Sequence, residues 1–271
     1  MLFVTDGSGG ERLRLLISRP GQPDVLDAIL LPPGTWRAGA ALGSEGTILL
    51  TEERRVLVGR LAGDRVIPLW DRRVETLELG DTEAPLGPAC LAGPSFGAVF
   101  ADGFFLVRPA SAVQPAAAFG TRGDCAFVDA SELLYETEAT HRLAAQTIGS
   151  SSVRISSSAC PGMAVGGDLV ACLDDAGGGA ASLGVWVREP VRDGVPALGE
   201  RRFRFLATAG WTIVAAALAR DGRWLAVVEE PRAAADGKRR LWLFEQDGEA
   251  FAARAAEPLA PGLLLLGVGG P

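Results

Sequence analysis

Short apolar runs recur along the chain, each closed by turn-forming residues. Trp224–Val228 and Leu241–Phe244 flank a polar, Gly-containing connection, and Asp221-Gly222 separates the first of them from a further run, Ile213–Leu218. Runs of this length between turn signals read as strands, and three in succession read as an antiparallel meander. No stretch carries a long apolar 3.6-residue period between helix caps. The alanine runs Ala116–Ala118, Ala215–Ala217 and Ala233–Ala235 are too short to nucleate helices in isolation. The pattern predicts an all-β chain.

The same unit can be laid along the sequence. A small or apolar residue is followed four steps later by Gly or Ser, and then by a strand: Leu42, Gly46, Thr47–Thr51; Leu91, Ser95, Phe96–Phe100; Phe127, Ser131, Glu132–Glu136; Met163, Gly167, Asp168–Cys172; Leu218, Gly222, Arg223–Val227. A degraded first copy has Gly10 before Leu13–Ile17. The anchors Gly10, Gly46, Ser95, Ser131, Gly167 and Gly222 are 36, 49, 36, 36 and 55 residues apart. Repeats of this size suit the four-stranded blades of a β-propeller. Val56–Leu61, Val66–Trp70, Phe104–Val107, Val113–Phe119, His141–Ile148, Leu183–Arg188, Arg202–Ala207 and Phe251–Ala255 supply further strands. The prediction is a single domain over residues 1–271, a propeller of six blades. Leu263–Leu266 pairs with Leu2–Thr5 to close the ring and hide its edges. Glu189–Glu200, with two prolines and Asp193-Gly194, is expected to be an exposed, protease-sensitive excursion.

Strand, Asp221-Gly222-Arg223-Trp224, strand, gap and Leu241-Trp242-Leu243-Phe244 together resemble one blade of a WD40 or TolB-like propeller. The departures are informative. No Gly-His pair occurs, and Trp70-Asp71 ends a fourth strand rather than a third. One histidine, His141, cannot supply the Asp-His-Ser/Thr-Trp network of WD40 blades around a ring. The resemblance implies a diverged propeller and leaves activity open, since propellers host enzymes and scaffolds alike.

Composition narrows the classes. With 48% hydrophobic and 22% charged residues the chain can bury a sizeable core, which excludes global disorder. A net charge of −7 excludes sequence-independent nucleic-acid binding, which needs basic residues to neutralise phosphates, and suits a basic partner. Met1–Val4 is interrupted at once by Thr5-Asp6-Gly7, and Gly262–Val268 is too short to span a bilayer. The expectation is a cytoplasmic protein that does not engage membranes. Cys90, Cys125, Cys160 and Cys172 form no C-x-x-C pair and are expected to be free, buried thiols. The first three lie 35 residues apart, near the innermost strands of successive blades, either as a soft-metal cluster or as small side chains beside the axis.

Carboxylates recur just past the second strand of each unit: Glu52 and Glu53, Asp102, Glu136 and Glu138, Asp174 and Asp175, Glu229 and Glu230, with Arg19 in the first unit. All such loops of a propeller open on one face, so these residues form either an acidic rim for a basic partner segment or ordinary solvated strand ends. His141, the sole imidazole, has no G-x-S-x-G partner motif. Gly7–Gly10 and Gly177–Gly179 precede no Lys-Ser/Thr and read as turns. Trp186, Trp224 and Trp242 read as inter-blade packing, and Trp36 and Trp211 as rim aromatics or packing. No catalytic or metal-binding constellation and no cofactor is assigned. The function that follows is a non-enzymatic protein–protein interaction module, a scaffold or regulatory subunit of a larger bacterial-type assembly. The alternatives are a lactonase- or esterase-type hydrolase with a divalent cation in the central channel, and a small-ligand sensor.

Overall fold

The computed structural model describes residues 2–6, 12–17, 25–30, 38–42, 47–52, 55–62, 65–73, 89–93, 96–100, 104–107, 114–117, 125–128, 132–137, 140–147, 150, 152–175, 180–192, 195–219, 221–233, 238–259 and 263–268. The chain begins with β1 (Leu2–Asp6), β2 (Arg12–Ile17) and β3 (Val25–Leu30). Blade 2 holds β4 (Ala38–Leu42), β5 (Thr47–Glu52), β6 (Arg55–Ala62) and β7 (Arg65–Arg73). Blade 3 holds β8 (Ala89–Gly93), β9 (Phe96–Phe100), β10 (Phe104–Val107) and β11 (Gln114–Ala117). Blade 4 holds β12 (Cys125–Phe127), β13 (Glu132–Glu136), β14 (Arg142–Thr147) and β15 (Val153–Ala159). Blade 5 holds β16 (Ala164–Gly166), β17 (Leu169–Leu173), β18 (Ser182–Arg192) and β19 (Val195–Leu206). Blade 6 holds β20 (Trp211–Leu218), β21 (Trp224–Pro231), β22 (Arg239–Asp247) and β23 (Ala250–Leu259). Finally β24 (Leu263–Val268) returns to β1.

Each blade is an antiparallel meander, and β24 pairs antiparallel with β1, from Leu2 opposite Val268 to Asp6 opposite Leu263. Blade 1 is therefore β24-β1-β2-β3, built from both ends of the chain; its outer strand is joined to that of blade 2 by a parallel pair, Leu30 with Arg65. The inner strands meet their neighbours in the order β4, β8, β12, β16, β20, β24, and β24 meets β4 again. The ring of six blades closes as the sequence predicts. One register differs. Because β24 takes the innermost place, β1 is the second strand of blade 1 and Leu13–Ile17 lies in the third, not the second.

The core lies between blades. In β21, Leu225 and Val227 pack with Leu169, Ala171, Leu183 and Val185 of blade 5, while Ala226 and Val228 pack on the other side with Leu241 and Leu243. In β17, Val170 and Cys172 face Leu134, Leu143 and Ala145 of blade 4. β17 and β21 are covered on both sides, so these second strands read as unbroken apolar runs rather than alternating ones. Phe203, Phe205, Phe244 and Phe251 form a tilted aromatic cluster across the blade 5–blade 6 boundary, with centroids 5.2–5.4 Å apart for the pairs of Phe244 with Phe203 and Phe205 and of Phe203 with Phe251. Trp242 joins it 5.7 Å from Phe205.

The predicted turn anchors Gly167 and Gly222 both adopt a left-handed φ, +59° and +75°, as glycine allows at no steric cost. The two turns interlock: a Cβ on Gly222 would stand 3.1 Å from the Gly166 carbonyl oxygen, and one on Gly166 would collide with that of Ala219. Anchors Gly10, Gly46, Ser95 and Ser131 lie outside the described residues.

Two expectations are corrected. Glu189–Glu200 is no irregular excursion: on either side of Asp193-Gly194 it continues the β18–β19 hairpin, with Glu189 opposite Ala197 and Arg192 opposite Val195. Leu198 packs against the blade 4–blade 5 core and Pro196 is buried; Pro196 is tolerated because β19 is an outer strand. The cysteines are not free thiols. Cys90 is bonded to Cys125, and Cys160 to Cys172, which also excludes a thiolate metal cluster. Cys90 and Cys125 do lie on inner strands, but Cys160 lies in the corner before β16.

Tyr135, the chain's single tyrosine, is 1% exposed in β13, and burial pushes its hydroxyl up to about 12. The unfolded side chain ionises near pH 10. The folded state thus holds its proton longer, so this contribution to stability is whole below about pH 10 and declines as pH rises through 12. A spectrophotometric titration of the folded protein is expected to show no tyrosinate near pH 10, whereas the chain in guanidinium titrates there. An ordinary tyrosine titration in the folded state would show the burial to be wrong.

Candidate interaction face

The second strands β1, β5, β9, β13, β17 and β21 end on one face of the ring, and their last residues or the residues just after them are where the carboxylates fall. The structure treats these carboxylates differently. Glu229 is fully buried. Its Oε1 accepts the Thr208 amide at 2.6 Å, and its Oε2 accepts the Thr208 hydroxyl at 3.0 Å and the Trp242 indole N–H at 2.6 Å. Glu136 is 5% exposed; it accepts the Gly162 amide at 3.0 Å and pairs with His141 Nδ1. These two were read as rim residues open to a partner, and that reading is corrected. Both turn inward, because a buried carboxylate is stabilised by amide and indole donors that would otherwise lack acceptors.

The others remain at the surface. Glu52 lies 3.4 Å from Arg55, whose guanidinium is also bidentate on Asp71 at 2.7 and 2.8 Å. The Asp71 hydrogen bonds, with Glu52 adding to them, raise the Arg55 pKa against the opposing effect of burial. Glu230 accepts from Arg239 at 3.2 Å. Asp174 caps the start of β18, accepting the Ser182 amide at 3.0 Å and its hydroxyl at 2.6 Å. Partial burial pushes its carboxyl up, but the Ser182 hydrogen bonds outweigh this and hold it below the ordinary carboxylate value. Asp175 is exposed. Glu53, Asp102, Glu138 and Arg19 lie outside the described residues. Sequence reasoning missed Asp6, the last residue of β1, because the first unit was read one strand out of register.

Sequence reasoning also did not foresee how blades 5 and 6 meet on this face. Ala180 forms an isolated bridge with Ile213, exchanging hydrogen bonds of 2.9 and 3.2 Å, and the Thr212 hydroxyl donates to the Ala180 carbonyl at 3.3 Å. Ala180, two residues before the Ser182 that Asp174 caps, is thereby tied to β20 two residues past Trp211. The Arg240 guanidinium sits 4.4 Å from the centre of the half-buried Trp211 ring and 5.8 Å from that of Trp242. Arg240 also donates to the Thr208 hydroxyl at 3.3 Å and lies 4.0 Å from Glu229. Buried Glu229 therefore fixes the place of Arg240, and Arg240 covers one surface of Trp211. The one sequence signal for this was Gly210-Trp211, read as either rim aromatic or packing.

Along the axis the chemistry is different. The inner strands read Ala-Gly-Ala-Ala-Leu, Ala-Cys-Leu-Ala-Gly, Cys-Ala-Phe, Ala-Val-Gly, Trp-Thr-Ile-Val-Ala-Ala-Ala-Leu and Leu-Leu-Leu-Leu-Gly-Val, without an acid, a base or an imidazole.

Strands in closed radial repetition, joined at the termini, make this chain a β-propeller whose motifs differ from those of WD40 blades. The β-propeller domain of Cps50 (Swd1) from Myceliophteria thermophila matches it with a TM-score of 0.55 at 12% identity, over 95% of this chain and 85% of that one. Hsv2 from Kluyveromyces lactis matches with a TM-score of 0.46 at 14% identity, over 88% and 70%. No family model matches the chain, and no curated protein sequence does. At such identities the likeness speaks to fold.

Proposed function

We propose that the protein is a non-enzymatic interaction module, a scaffold or regulatory subunit of a larger assembly, and that it takes a basic segment of a partner protein at the blade 5–blade 6 junction. The observation that carries this reading is Trp211, held in place under Arg240 on the same strand to which Ala180 is bridged, next to the Ser182 that Asp174 caps. Tryptophan and arginine in a fixed setting are the residue types that dominate binding energy at interfaces. The charges nearby support a basic rather than an acidic ligand. Arg239 and Arg240 lie against Glu230 and Glu229, whereas Asp174 is held by the neutral donors of Ser182 and keeps its charge. Among the described residues, the Arg204 guanidinium donates to the Ser182 hydroxyl, at 3.2 Å. A hydrolase or ligand sensor along the axis gains no support from inner strands that lack ionisable groups.

The test is partner capture by immobilised full-length protein against two variants, Trp211→Ala and Asp175→Lys. Losing an aromatic hot spot costs about 2 kcal/mol or more, roughly 30-fold in affinity. Trp211→Ala is therefore expected to lose the captured protein. Asp175→Lys is expected to slow its association and flatten the salt dependence of the rate. If both variants stay folded and hold the same protein as tightly as the parent, this face is not the interface.

A further inference from the structure

All four cysteines of the chain are used in two bridges, with Cα atoms 5.7 Å apart for Cys90–Cys125 and 4.7 Å apart for Cys160–Cys172, both within the span a disulfide requires. We infer that the protein matures by thiol oxidation and acts in an oxidising compartment, its ring stapled across the blade 3–blade 4 boundary by Cys90–Cys125 and at the entry to blade 5 by Cys160–Cys172. It runs counter to the cytoplasmic expectation from the sequence and does not depend on the identity of any partner.

The pairing follows from the fold. By spacing alone, Cys125 could equally join Cys90 or Cys160, each 35 residues away. The ring breaks that tie. Cys90 lies on β8 and Cys125 on β12, inner strands that lie side by side. Cys160 sits in the corner between β15 and β16, facing β17. The corner is held without help from sulfur: the Cys160 amide donates to the His141 carbonyl at 2.6 Å, the Gly162 amide to Glu136 at 3.0 Å, and the Leu173 amide to the Pro161 carbonyl at 2.8 Å. The backbone thus delivers Cys160 against Cys172 whatever the state of the thiols.

Burial adds the second part. Cys160 and Cys172 are at most 1% exposed and Cys90 is 3% exposed. Buried thiols of this kind must be oxidised while the blades assemble, and cytosolic reductants keep thiols reduced during that interval. For each bridge, one cysteine thiolate attacks the disulfide of an oxidant, a disulfide-form oxidoreductase or a small-molecule disulfide. This gives a mixed disulfide and one released thiol. The second cysteine thiolate then displaces the other thiol. Two protein thiols and one oxidant disulfide become one protein disulfide and two carrier thiols, so the two electrons and two protons end on the carrier.

The experiment uses the chain expressed from its own gene. Cells are quenched in acid, denatured and treated with a maleimide without reductant, and the intact protein and its peptides are weighed. The expected result is no maleimide on any cysteine, with cross-linked peptides joining Cys90 to Cys125 and Cys160 to Cys172. Four maleimides, or a cross-link between Cys125 and Cys160, overturn the inference. As a second readout, the purified chain is melted before and after reduction in denaturant and refolding with its thiols alkylated. Its midpoint is expected to fall by several degrees, and an unchanged midpoint would mean that neither bridge staples the ring.

Discussion

A chain cut after Leu259 is expected to lose its cooperative unfolding transition altogether. The cut removes β24, which supplies the innermost strand of blade 1 and meets β4 on one side and β20 and β21 on the other. Without it β1 becomes an open edge beside the axis, the ring is broken, and blades 6 and 2 each lose a neighbour. Native domains are stable by only about 5–15 kcal/mol, and removing a whole inner strand is a change of that order. The exposed edge of β1 should also promote association of chains. Circular dichroism during heating and size-exclusion chromatography check this. Addition of a peptide covering residues 260–271 in excess should restore a transition whose midpoint depends on peptide concentration. A truncated chain that melts cooperatively at the parental temperature would show that β24 does not close the ring.

Glu229→Ala is expected to destabilise the protein by about 3–5 kcal/mol, because it strips the acceptor from buried donors and leaves Arg240 without its counter-charge. For a chain of this size that corresponds to roughly 10 °C in the thermal midpoint. Glu230→Ala, one residue on, is expected to cost under about 1 kcal/mol, since it removes one partly exposed ion pair with Arg239. Glu229→Ala should also weaken partner capture, since Arg240 is no longer held over Trp211. The order of the two midpoints decides the matter: equal effects at the two positions would mean that Glu229 is not the buried anchor described above.

This contrast shows how far the sequence could be read. Second strands were legible where both their sides are covered: Glu132–Glu136 is found with the bounds its apolar run suggests. Outer strands were not. Val153–Ala159, which reads Val-Arg-Ile-Ser-Ser-Ser-Ala, has one fully buried residue, Ser156, so solvent imposes almost no pattern on it. The prolines at 190 and 196 disguised a hairpin that Asp193-Gly194 could have announced. The carboxylate at each second-strand end was visible, but its direction was not. Alternation along β21 places Glu229 on the same side as Leu225 and Val227, toward blade 5, and Glu230 on the other, and a single residue of register decides between them. The cysteine pairing was hidden for a similar reason, since spacing alone does not tell an inner strand from the corner that precedes it.

The union of β1 with β24 has a consequence for synthesis. Residues 2–6 leave the ribosome before every other described strand, and residues 263–268 leave it after all of them. At roughly 5–20 residues per second, β1 waits from about a quarter of a minute to nearly a minute for its inner partner. Blades 2 to 6 hold all their own strands and can form in the order they are made, whereas the first blade begun is the last completed. The nascent chain therefore carries an unfinished first blade throughout the synthesis of blades 2 to 6.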